Sequence, residues 1–136
     1  MKPILLDTCA LIWLANRENL RPDARTALEE ADGTDGLIAV SPISAWEIGQ
    51  LVARGRMMLT LEPRVWFQSA LDSGLVLTPM PPELLIASSF LPSGELRDPA
   101  DRIIAATARL YQYRLMTRER PLRAFGQEGH VETIAC

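Results

Sequence analysis

The chain has 136 residues, a length that suits one domain with a substantial core. With 48% hydrophobic and 23% charged residues the composition is that of an ordinary globular protein, which excludes a disordered chain. A formal net charge of −3 announces no general affinity for nucleic acid, although it constrains no local site.

Two cysteines, Cys9 and Cys136, make neither a disulfide framework nor a zinc set. Lys2 before an apolar run imitates a signal peptide. Asp7 interrupts that run, however, and Asn16-Arg17-Glu18 offers no small-residue cleavage site. No stretch reaches membrane-span length, so the expectation is a soluble protein of a reducing cytoplasm, with no membrane partner. Thirteen of the fourteen basic residues are Arg, the better fork for phosphate; a high-GC genome accounts for the same skew.

Residues 3–7, Pro3-Ile4-Leu5-Leu6-Asp7, read as a short buried strand ending on a carboxylate. Residues 9–16 follow as a helix apolar nearly all round, hence largely buried. Arg21-Pro22-Asp23 opens a second helix to about Ala31, closed by Asp32-Gly33-Thr34-Asp35-Gly36. Leu37-Ile38-Ala39-Val40 is a second buried strand. Ser41-Pro42 turns into a third helix that ends near Arg54-Gly55-Arg56. Met57 to Leu61 reads as an extended connector. Glu62-Pro63 starts a fourth helix to about Asp72, and Leu75-Val76-Leu77-Thr78 is a third strand after the Ser73-Gly74 break. A helix from about Pro82 to Phe90 leads into a loop, Leu91 to Arg97. Asp98-Pro99-Ala100-Asp101 opens the clearest helix, to about Tyr113, and Arg114-Leu115-Met116-Thr117 is a fourth strand. A short helix from Pro121 to Phe125 and an edge strand, Val131-Glu132-Thr133-Ile134, complete the pattern.

Alternating strands and helices predict a parallel sheet covered on both faces, with right-handed crossovers. Sites in such sheets form beyond the carboxyl ends of the strands, where Asp7, the start of the Ser41 helix and Thr117 should gather.

The acids each carry two readings. Asp7 is either the N-cap of the next helix or a metal carboxylate at the head of the sheet. Glu47 closes a capping-box spacing, Ser44-Ala45-Trp46-Glu47. If the helix starts at Ser41-Pro42 instead, Glu47 sits in the second turn beside Ile43 and Leu51 and needs a partner. Asp98 as N-cap and Asp101 at the third helical position make a sound helix start by themselves, yet two carboxylates this close repel unless a cation or proton intervenes. Glu119, in Thr117-Arg118-Glu119-Arg120, reads alone as a solvated residue. His130, the only histidine, reads as a surface residue, which leaves little room for a histidine-based triad. Carboxylates without His or Cys ligands suit a hard cation, Mg²⁺ or Mn²⁺. No phosphate-binding Gly-rich loop is present.

Four segments in sequence order resemble the PIN-domain toxins of the VapC type: Asp7-Thr8-Cys9-Ala10-Leu11-Ile12-Trp13-Leu14, Ser44-Ala45-Trp46-Glu47-Ile48, Arg97-Asp98-Pro99-Ala100-Asp101-Arg102-Ile103-Ile104-Ala105-Ala106-Thr107-Ala108, and Met116-Thr117-Arg118-Glu119. The resemblance covers essentially the whole chain. It implies one PIN-like domain over residues 1–136, a three-layer α/β/α fold around a central parallel sheet of four to five strands. It implies a Mg²⁺- or Mn²⁺-dependent endoribonuclease, the toxin of a bacterial toxin–antitoxin pair. Carried over, Asp7, Glu47 and Asp101 are metal carboxylates, and Asp98 is a ligand or lies just behind one. Thr8 and Thr117 orient carboxylates or water. Where the family commonly has Asp after the Thr of the fourth strand, this chain has Glu119 between two arginines, and Glu119 ranks last among the ligands. Arg102, Arg118, Arg120 and Arg123 are candidates for holding the RNA backbone. The implied partners are a small VapB-like antitoxin and a second copy of the chain. Apolar residues of the early helices, Leu14, Leu20, Leu51 and Val52, are candidate antitoxin contacts.

Two other readings compete. A small-molecule phosphatase of the haloacid-dehalogenase kind would want an Asp where Cys9 stands and a downstream Lys that the chain lacks. A catalytically weak interaction module of the same fold would keep the acids without turnover.

Overall fold

The computed structural model describes residues 2–32, 38–92 and 94–136. Residues 33–36 of the break expected over 32–36, Leu37 as the first residue of its expected strand, and Ser93 of the expected loop over 91–97 lie outside the described residues.

The elements in chain order are β1 (Ile4–Leu6), α1 (Thr8–Ala15), α2 (Pro22–Asp32), β2 (Ile38–Val40), α3 (Pro42–Ala53), α4 (Pro63–Asp72), β3 (Val76–Leu77), α5 (Pro82–Ala87) with a 3₁₀ turn over Ser88–Phe90, α6 (Pro99–Tyr111), β4 (Arg114–Thr117), α7 (Arg120–Gln127) and β5 (Thr133–Ala135). Proline stands at the first helical position wherever the helix begins at Pro42, Pro63, Pro82 or Pro99, since that position has no N–H obligation and its φ is already helical. The helix expected to reach Phe90 tightens to a 3₁₀ turn after Ala87, where the Ser88 hydroxyl donates to the carbonyl of Leu85 at 2.6 Å. The clearest helix ends at Tyr111, because Gln112 turns left-handed with φ 58°.

The five strands are all parallel, in the order β3-β2-β1-β4-β5. In register, Leu6 stands between Val40 and Met116, and Thr117 faces Ala135. Side-chain alternation along β1 divides the core. Ile4 and Leu6 point to one face and pack with Ala10 and Leu11 of α1, Ala24 and Leu28 of α2, Ile48 of α3 and Trp66 of α4. Leu5 points to the other and packs with Ile104, Ala105 and Ala108 of α6 and Leu122 and Phe125 of α7. The result is three layers, α/β/α. Alanines on the inner face of α6 let that helix lie close to the sheet. Gly126 does the same for α7, since a Cβ there would stand 2.5 Å from the Thr133 methyl.

This strand order positions the site. From β1 the chain runs out through β2 to β3, then returns to place β4 on the opposite side of β1. Connections on the two sides of β1 therefore diverge and leave a crevice beyond its carboxyl end. Asp7 is the first residue past that end. No helix among the described residues is long and apolar enough to cross a membrane.

Candidate active site

Asp7 caps α1, and its Oδ1 accepts the Ala10 N–H at 2.7 Å. It is also only 1% exposed, which no cap requires. Its Oδ2 accepts the hydroxyl of Thr117 at the end of β4. Thr117, fully buried, in turn accepts the Glu119 N–H at 3.0 Å. Burial, partly offset by these hydrogen bonds, pushes Asp7 up to about 6.

A second relay mirrors the first. The Thr8 hydroxyl donates to Oε1 of Glu47. Its one proton being spent there, the Ser44 hydroxyl 2.9 Å away must be the donor to Thr8. The capping-box spacing is thus resolved. Ser41 is the N-cap of α3, accepting the Ile43 N–H at 3.1 Å, and Ser44 and Glu47 share the face of α3 that meets α1. Glu47 is half-buried, and burial raises its pKa.

On the opposite layer Asp98 caps α6, accepting the Ala100 N–H at 3.3 Å, and is exposed. Asp101, one turn in, is partly buried. Burial first, then the charges of Asp98, Glu47, Asp7 and Glu119, push it up to about 8. A helix N-terminus ordinarily favours an ionised acid, so burial and the neighbouring acids together outweigh the dipole here.

Glu119 departs from its reading as a solvated residue. It is half-buried, its Oε1 lies 3.1 Å from Sγ of Cys9, and its charge raises Asp7, Glu47 and Asp101. Cys9, read as a small core residue, faces this carboxylate instead of the apolar core. Burial and Glu119 push its thiol well up, which makes it a poor nucleophile. Sequence reasoning singled out neither Ser44 as a donor to Thr8 nor Cys9 as a neighbour of Glu119. The Ser44-to-Glu47 spacing, which sets both on one helix face, was the available signal for the first.

Asp7, Glu47, Asp98, Asp101 and Glu119 come from four segments and act on one another electrostatically. Among the described residues none of them is in an ion pair. An all-oxygen donor set with uncompensated mutual repulsion has the chemistry of a site for a hard divalent cation. Among the described residues no three acidic, His or Cys side chains close tightly enough to cage an ion by themselves.

The arginines divide. Arg102 does not face the crevice as a free cation: its Nε donates to the Ser88 carbonyl at 2.8 Å and its Nη1 to that of Leu96, tying α6 to the preceding loops. Arg118 stacks on the Trp13 ring at 3.4 Å and donates from Nε to the Cys136 carbonyl at 3.0 Å. Arg120 is exposed and Arg123 is half-buried on α7. His130 precedes β5 at the amino edge of the sheet, the far edge from Asp7, and bonds Glu128 at 3.2 Å. Leu14, Leu20 and Val52 are partly buried against the core, and Leu51 is partly buried. The more exposed apolar side chains lie elsewhere, among them Trp46 (56%), Met58 (95%) and Phe90 (81%).

A PIN domain family model matches residues 4–127. Ribonuclease VapC22 of Mycobacterium tuberculosis is 34% identical over 125 residues, which are 91% of this chain and 92% of that protein. Among solved structures, DNA-bound VapBC from Salmonella typhimurium superposes with a TM-score of 0.66 at 18% identity, covering 99% of this chain and 98% of that one. VapBC2 from Rickettsia felis, bound to a promoter DNA fragment, gives 0.62 at 18% identity and 97% coverage of each. A toxin–antitoxin complex from Klebsiella pneumoniae gives 0.60 at 23% identity, covering 94% of each. At these identities the structural likeness speaks for the fold, while the family match and the 34% relative speak for descent. The chain belongs to the PIN-domain family and, within it, to the VapC type.

Proposed function

We propose that this chain is the endoribonuclease toxin of a toxin–antitoxin pair, hydrolysing RNA phosphodiester bonds with the help of Mg²⁺ or Mn²⁺. The observation that carries the proposal is the set of five mutually repelling carboxylates, free of ion pairs, beyond the carboxyl end of β1. The identity to a protein named as a ribonuclease supports the substrate class.

A divalent cation held by Asp7, Glu47 and Asp101, with Asp98 and Glu119 beside them, would activate water and offset charge on the phosphate. The residues of the chain do the rest. The Thr117 and Ala10 hydrogen bonds hold both oxygens of Asp7, so this carboxylate has one orientation. Thr8 does the same for one oxygen of Glu47. Burial and the neighbouring carboxylates push Asp101 up to about 8, so a cation held there would displace a proton from it. An acidic crevice repels RNA until its charge is offset, which makes substrate binding depend on the cation as well.

The same proposal takes a small VapB-like antitoxin as partner, a second copy of the chain in a homodimer, a single PIN-like domain over residues 1–136 and a cytoplasmic location. Solved neighbours that are toxin–antitoxin complexes support the antitoxin. The test is RNA cleavage by antitoxin-free protein in Mg²⁺ or Mn²⁺ against EDTA, beside Asp7→Asn. Cleavage that needs the cation and is lost in the variant supports the proposal. Neither cation binding nor cleavage would replace it with a non-catalytic interaction module.

A further inference from the structure

Beside the acids, on the same edge of the sheet, lies a cleft of the opposite charge. It encloses about 330 Å³ and is lined by Asn19, Arg21, Arg118, Arg123, Ala135 and Cys136. Three arginines converge on it and no acidic residue lines it, in a chain whose formal net charge is −3. Each arginine comes from a different segment. Arg21 lies in the connector before α2, Arg118 in the turn after β4, and Arg123 on α7.

Bringing three like charges together costs energy unless something anionic repays it. Among the described residues no side-chain carboxylate is paired with any of the three. Arg118 is held ready: its Cζ lies over the Trp13 ring, 3.4 Å from the centroid, and its Nε is tied to the Cys136 main-chain oxygen. Its two terminal nitrogens carry no hydrogen bond among the described residues, so the outer edge of the fork is available to an anion. Arg21 and Arg123 make no side-chain hydrogen bond among the described residues either.

The cleft adjoins the acids by direct chain connection. Arg118 stands between Thr117, whose hydroxyl holds Asp7, and Glu119 of the acid cluster. Cys136, at the rim, donates its N–H to the Thr117 carbonyl at 3.4 Å. A strand of RNA with one phosphate at the acids must carry its neighbouring phosphates past the flank of that cluster. We infer that Arg21, Arg118 and Arg123, with Asn19, form a subsite for a backbone phosphate next to the one cleaved. The inference rests on the ribonuclease reading and adds Arg21 and Asn19 as positioning residues. It reads phosphate and not base, so it contributes affinity and register without sequence preference.

The test is binding of a short single-stranded RNA by the full native chain in Ca²⁺, which takes the same oxygen ligands and replaces Mg²⁺ so that binding is read without cleavage. Arg21→Gln/Arg123→Gln is compared with its parent across a salt series, with Arg21→Lys/Arg123→Lys as the charge-keeping control. Losing the neutralisation of that one phosphate should lower the slope of log K against log salt by up to about 0.7 and weaken binding about fivefold at 0.15 M salt. The Lys pair should keep most of the slope. In the otherwise native enzyme the Gln pair should raise KM for cleavage and leave kcat nearly unchanged. A parent that binds RNA and a Gln pair that binds it equally well would overturn the subsite and leave the ribonuclease reading standing. Loss of antitoxin affinity with unchanged RNA binding would overturn it too, by making the cleft a protein site. A parent that binds no RNA would overturn both.

Discussion

Thr117 and Asp7, 110 residues apart, share a buried hydrogen bond in which the hydroxyl donates to the carboxylate while accepting the N–H of Glu119. One threonine thus joins the ends of β1 and β4 and, with the Ala10 N–H on the other oxygen, fixes the orientation of the acid. Thr117→Val keeps the shape and removes the donor. It leaves two buried groups unsatisfied, so a loss of about 1–3 kcal/mol is expected in denaturant unfolding, with Thr117→Ser close to wild type. Cation affinity should fall with it, measured by Mn²⁺ titration.

The two strongly shifted acids set a pH dependence. Asp7 at about 6 and Asp101 at about 8 both lie above the ordinary 3.8, so the folded state prefers their protonated forms. Their contribution to stability is whole below the unfolded value and is lost as pH rises through about 6 and then about 8. In EDTA, Tm should therefore fall between pH 5 and 8.5. Asp101→Asn should flatten that fall and raise Tm at pH 8.5. Added Mg²⁺ should raise Tm of the native chain more at pH 8.5 than at pH 6. A Tm in EDTA that climbs with pH across this window would refute the coupling.

Asp7 has two separable roles. Asn can still cap α1, whereas Ala cannot, and the difference should be about 1 kcal/mol in unfolding free energy. Both variants should lose cleavage. An Asp7→Asn chain that still cleaves RNA at a rate near wild type would remove Asp7 from the site.

Arg102 should behave as a structural residue. Arg102→Met breaks its bonds to the carbonyls of Ser88 and Leu96 and should cost about 2 kcal/mol in unfolding, the range for charge-assisted hydrogen bonds. The salt slope of RNA binding should stay as it is. A slope lowered by about 0.7 would return Arg102 to the phosphate contacts.

Much of this was legible in the residues. Pro42, Pro63, Pro82 and Pro99 mark helix starts because a ring-fixed φ and a missing N–H suit only that position. The apolar runs at Ile4–Leu6 and Leu115–Met116 are strands buried on both faces. Such a pattern, alternating with helices, admits a parallel three-layer fold with acids at one edge. These features are local, and short-range sterics and hydrogen bonding decide them. Strand order is not local. Nothing in the run of residues says that β4 lies beside β1 and not beside β3, and only that placement brings Thr117 to Asp7. The surroundings of single side chains were equally hidden. Glu119 reads as a solvated acid between arginines, and Arg102 as a free surface cation. Packing turns the first toward Cys9 and spends the second on two carbonyls. The sequence by itself determined the elements and the supply of acids. Tertiary structure alone decided which charges share a crevice, because burial and Coulomb repulsion depend on distances through space that the order of residues does not specify.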